Sequence, residues 1–214
     1  MNAVVYFPFY YHNYDSIDWT RTIEILAFLF CVGIALLCAG LLAKITARRF
    51  GKGRQLLRIL TPTAGAALLL LRFGYTLAAL KGCIFMLLLF YASVSDLKTR
   101  EVADSVSLMI GLTALIGITA SHLPGMLLAA VVITLPQLAI AVMKPGTYGG
   151  ADIKLMAAGA FLLGMVKGLL ALVTGLGMAV VLTLLIRRIR KRDTKEPFAL
   201  VPFLSAGCFL AYLI

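Results

Sequence analysis

Two aspartates stand where the hydrophobic pattern of this chain breaks. Asp152 follows Gly149, Gly150 and Ala151 and heads an apolar run; upstream of it, from Ser105 to Met143, there is no Asp, Glu, Lys or Arg. Asp96 closes another apolar run, Gly82 to Ser95. An acid on such a border is either a helix cap or a reactive group. Two carboxylates held close together share a proton, because both cannot readily ionise at short range. The neutral carboxyl then polarises a peptide carbonyl while the charged one activates water. That chemistry needs no metal, cysteine or histidine.

Each acid also has a plainer role available. An Asp in the first turn of a helix is a favourable cap, and the small residues before Asp152 let backbone approach its carboxylate. Asp96 ends a helix, where the macrodipole disfavours an anion, but Lys98 and Arg100 stand near enough in sequence to pair with it. If the two acids do form a pair, the helix ends favour Asp96 as the acid and Asp152 as the base.

The elements that must position these residues are membrane helices. The chain of 214 residues is 62% hydrophobic, with a mean hydropathy of +1.00, against about half apolar in a soluble domain. The apolar residues come in long uniform runs, which predicts an all-α polytopic protein rather than a barrel of alternating strands. Eight spans are expected: about 23–43, 59–73, 76–95, 103–120, 126–143, 153–166, 169–186 and 198–214. Short turns are placed near Gly74 and at Ser121-His122-Leu123-Pro124-Gly125. Residues 1–75 then form an N-terminal segment with two helices, and residues 76–214 form the domain that carries both acids.

Charge fixes an expected orientation. With odd spans running inward, sixteen of the twenty Lys and Arg fall in inside connections and four outside, as the positive-inside rule requires. Both termini are then outside, and Asp96 and Asp152 share the cytoplasmic face. The net charge of +11 is thereby explained by topology, and a nucleic-acid partner is not expected. Cys31, Cys38, Cys83 and Cys208 lie in apolar runs without a Cys-x-x-Cys pair, so neither zinc nor a disulfide framework is supported. The first twenty residues lack a basic stretch ahead of an apolar one, so no cleavable signal is expected. Tyr6, Tyr10, Tyr11, Tyr14 and Trp19 read as an interfacial aromatic belt. A transporter would show charged residues near mid-span or two related halves, and neither is seen. A non-enzymatic assembly scaffold remains a rival, distinguishable because it needs neither acid.

Three segments resemble those of the type IV prepilin peptidases, aspartic proteases of the membrane with a Gly-x-Gly-Asp motif. Asp96-Leu-Lys-Thr-Arg-Glu-Val-Ala-Asp104 is similar to an Asp followed six residues later by Ile-Pro-Asn, with Ala103 and Asp104 in place of Pro-Asn. Gly149-Gly150-Ala151-Asp152-Ile-Lys154-Leu is similar to Gly-x-Gly-Asp-x-Lys-Leu, with Ala151 for the second Gly. Pro197-Phe-Ala-Leu-Val-Pro202-Phe-Leu resembles the Pro-Phe-x-x-x-Pro-Phe-Leu that opens the family's last helix. The resemblance covers about residues 80–214. It implies a bacterial or archaeal inner-membrane endopeptidase, with no cofactor, facing the cytoplasm. Its substrate would be a prepilin or pilin-like protein, cut after a Gly that ends a short basic leader. Asp96 and Asp152 carry over as the catalytic pair. Lys154 matches the family Lys, which snorkelling to the interface explains as well as a catalytic role does. Residues 1–75 lack the cysteine-paired domain of the longer members, so N-methylation of the product is not expected.

Overall fold

The computed structural model describes residues 19–50, 55–144, 149–190 and 199–214. All regular structure among them is helical. The chain divides into two compact units, Met1–Leu87 and Leu88–Ile214.

In the first unit, α1 (Trp19–Phe50) packs on α2 (Gln55–Phe73). Gly74, at φ 61°, ends α2 and donates its N–H to the Leu70 carbonyl at 2.8 Å. This left-handed stop is one that glycine adopts without strain. Thr76 then caps α3 (Leu77–Thr99): its hydroxyl oxygen accepts the Ala79 N–H at 3.4 Å, the bond an N-cap supplies to the third helical residue. The turn at Gly74 thus lies where the sequence places it. The division between the units falls within α3.

The second unit is built on α6 (Gly150–Arg190), against which α4 (Asp104–Ala114), α5 (Leu123–Met143) and α7 (Val201–Leu213) all pack. Gly164 interrupts α6 at φ 78°, ψ −177°, a conformation essentially confined to glycine. A Cβ on Gly168 would lie 3.3 Å from the Ala160 Cα. In a straight helix residues eight apart are separated by about 12 Å, so α6 folds back into two limbs, 150–163 and 165–190. Small residues let α7 approach both limbs closely. Gly159 of the first meets the Cys208 thiol, while Gly207 lies against Ala171 and Gly175 of the second.

Among the described residues four helical stretches are long and apolar enough to cross a membrane, Ile25–Arg49, Leu77–Thr99, Ala120–Met143 and Gly150–Leu185, the last of them interrupted at Gly164. Large side chains on their surfaces are open, Leu37 at 70% and Val166 at 80%, as lipid-facing residues are. The expectation of eight full spans is not met by these lengths. Helix α4 was expected to run to residue 120 but stops at Ala114, ahead of a left-handed turn at Gly117 (φ 68°). Its 11 residues rise about 16 Å and the 13 of α7 about 20 Å, against a hydrocarbon core of about 30 Å. Helix α5 starts three residues earlier than expected, at Leu123, after a 3-10 turn at Ala120–His122. Pro124 sits in its first turn, where its missing N–H has no intrahelical partner to lose.

Candidate active site

Both sequence-predicted acids lie in the second unit and are buried: Asp96 is 7% exposed and Asp152 9%. The charge of Asp96 is felt at Asp152. They come from opposite kinds of helix end. Asp96 is in the last turn of α3, and Asp152 is the third residue of α6.

The end of α3 is shaped by hydroxyls. Ser95 Oγ donates to the Glu101 carbonyl at 2.7 Å, and Thr99 Oγ1 donates to the carbonyls of Ser95 and Glu101 at 2.9 and 3.1 Å. Arg100 takes φ 58° and returns its N–H to the Asp96 carbonyl at 3.0 Å. The chain therefore turns sharply one residue after α3, and α4 begins at Asp104. Orphan carbonyls at the helix end are met by side chains of the same turn.

Around the carboxylates, backbone donors do the holding. Asp152 Oδ2 accepts the Gly149 N–H at 3.1 Å, the reach-back half of a capping box. The cap is therefore real, and it leaves Oδ1 free of that bond. Asp96 accepts the backbone N–H of Val201, the first residue of α7, whose N–H has no partner inside its own helix. Asp96 also has the Arg100 charge nearby. The other Asp96 oxygen, Oδ2, is buried and has no hydrogen-bond partner among the described residues. A buried, unsatisfied carboxyl oxygen is expensive unless a proton or another molecule meets it. The contrast expected from helix ends alone is thus blunted, because each acid meets the amide-rich start of a helix.

The other expected residues that the structure describes lie at or near the starts of α4, α6 and α7. Lys154 Nζ meets Asp104 Oδ1 at 2.7 Å, joining the first turns of α6 and α4 at the surface. Its ammonium is committed to Asp104, which occupies the position of the expected Asn. Gly149 and Gly150 are exposed and Ala151 is half-buried. The glycines differ: a Cβ on Gly149 would stand 3.0 Å from Asp152 Oδ2, whereas one on Gly150 would meet nothing within 4 Å among the described residues. Pro202 sits in the first turn of α7, beside the Val201 donor, where it suits helix initiation. Pro197 lies outside the described residues. Sequence reasoning missed the Val201 amide and the Ser95–Thr99 clasp; Pro202, as a helix-start signal, was the available pointer to the first. Among the described residues no group of three or more His, Cys, Asp or Glu is arranged to hold a metal.

Residues 83–186 match the type IV leader peptidase family. The matched stretch runs from within α3 to near the end of α6 and contains both aspartates and the Asp104–Lys154 pair. It agrees with the resemblance carried by the first two motifs and supports a leader peptidase-like protease in a helical membrane protein. Helix α7 lies beyond it. Comparison with curated proteins and with solved structures gives no match.

Proposed function

We propose that this protein is a membrane aspartic endopeptidase, with Asp96 and Asp152 as its catalytic pair, that removes the short basic leader of a prepilin or pilin-like protein. The observation that carries the reading is that two buried carboxylates from separate helices lie within electrostatic reach of each other, inside the segment that matches the leader peptidases.

In this mechanism one carboxyl is protonated and donates to the carbonyl oxygen of the scissile bond. The other is ionised and takes a proton from the attacking water. The Asp96 Oδ2 that lacks a partner is the natural donor position, and Asp152, with Oδ2 held by Gly149, presents Oδ1 to water. Collapse of the tetrahedral intermediate passes the proton to the leaving amine. The basic residues in the connections beside the two acids, Lys98, Arg100, Lys144 and Lys154, support a cytoplasmic position for this pair. The substrate's apolar helix then lies in the bilayer, with its leader in the cytoplasm and the cut after the last leader Gly. N-methylation of the new terminus is not assigned.

Coexpression with a candidate prepilin tests this. The expected product has lost only its leader, begins after the Gly, and is absent when either aspartate is changed to Asn. A prepilin left intact by wild type, across pilins native to the same cell, overturns the substrate class.

A further inference from the structure

The first unit holds a cavity of about 370 Å³ between α1, α2 and α3. Cys31, Ala35, Cys38, Ala66, Ala79 and Cys83 line it, so three of the four cysteines of the chain face one space. Ile34 and Leu80 also line it and are half-exposed, at 46% and 55%. Its mouth therefore opens on the apolar outer surface of these helices. Most of it lies N-terminal to the stretch that matches the leader peptidases.

We infer that this cavity is a lipid site that takes one acyl chain of a bilayer phospholipid. The lining is apolar with almost no polar surface, so it offers water too few partners to hold it there and would strand a phosphate headgroup. Left empty, its walls forfeit their dispersion contacts. Helices α1 and α3 are both of membrane-crossing length and composition, so the medium at the mouth is hydrocarbon chains at very high concentration. Hydrophobic transfer does not drive entry, since lipid tails are as apolar as leucine; filling the void does. The volume is at the lower end of ligand pockets. It suits a chain one carbon thick, whereas a helix 10–12 Å across needs an open groove. The three thiols become residues reached through lipid rather than through water.

The test uses the full chain in phospholipid nanodiscs containing a phosphatidylcholine with a diazirine in its acyl chain. After illumination, peptides are mapped by mass. Adducts at 31–38 and 79–87 should exceed those at the exposed Val180–Leu185 surface about tenfold, equivalent to 1.4 kcal/mol. Ala35→Trp and, separately, Cys83→Trp should each reduce the cavity adducts to the level of that surface and leave the surface adducts unchanged, which also reports an intact fold. Uniform labelling, or cavity labelling that survives both substitutions, overturns the site. So does cavity labelling by a water-soluble diazirine. Loss of the adducts at high protein-to-lipid ratio, with cross-linked dimers in their place, would assign the face to a second copy instead.

Discussion

Replacing Gly149 with Ala probes the geometry of the pair most narrowly. A Cβ at this position would lie 3.0 Å from Asp152 Oδ2, the oxygen that accepts the Gly149 N–H at 3.1 Å. The methyl and the donor belong to one residue, so the carboxylate cannot retreat from one and keep the other. Losing a hydrogen bond to a charged group costs about 1.5–3 kcal/mol, which corresponds to a fall of roughly ten- to 150-fold in kcat/KM. The N-terminus of α6 loses part of its cap as well, about 1 kcal/mol of local stability. Gly150→Ala is the internal control, because nothing lies within 4 Å of its added methyl and Ala is the better helix former. The assay is leader removal by purified protein in bilayer discs, followed by product mass against time. Gly149→Ala should be impaired within that range and Gly150→Ala close to wild type. Equal rates for both, in an enzyme that Asp152→Asn inactivates, would show that the Gly149 amide does not hold the carboxylate and that this part of the reasoning is wrong.

Other substitutions test the scaffold. Gly164→Ala forces a residue with a side chain to φ 78°, ψ −177°; it should destabilise by about 1–3 kcal/mol and lower the midpoint of thermal unfolding in detergent. Gly207→Ala drives a methyl into Ala171 and Gly175, while Gly177→Ala meets nothing within 4 Å, so the first should sharply reduce folded yield on size exclusion and the second should not. Asp104→Asn and Lys154→Gln each open a pair between exposed side chains. Each should cost about 0.2–1 kcal/mol, with the double substitution no worse than the worse single and the exchanged pair Asp104→Lys/Lys154→Asp recovering most of the loss in the same melts.

Much of the frame was legible before any coordinates, because the signals are local. Gly74 followed by Thr76 marks a helix stop and a helix cap within three residues, and the structure uses both. Gly149-Gly150-Ala151-Asp152 marks a helix start, and the structure uses it: Asp152 Oδ2 caps the start of α6, and in the proposed mechanism its other oxygen would serve the chemistry. What escaped the sequence was set by contacts between distant segments. The run from Ser105 to Ala120 carries no charge, but Gly117 at φ 68° turns the chain, so the helix is short. The Val201 amide reaches Asp96 from more than a hundred residues away, and no spacing rule connects an amide to a carboxylate at that range. Lys154 was read as either snorkelling or catalytic; its partner Asp104, fifty residues upstream, was visible only as a departure from the resembled motif.

The central claim, that Asp96 and Asp152 together cleave a leader, is tested most directly by single-turnover kinetics. Purified protein in excess is mixed with a prepilin in bilayer discs, and leader release is timed for wild type, Asp96→Asn and Asp152→Asn. Both Asn proteins should remain folded by melting and bind the prepilin, and each should lose at least about a hundredfold in rate, since general acid and base steps each contribute about 10²–10⁴-fold. A rate within a few-fold of wild type for either Asn protein would remove that residue from the pair and contradict the account.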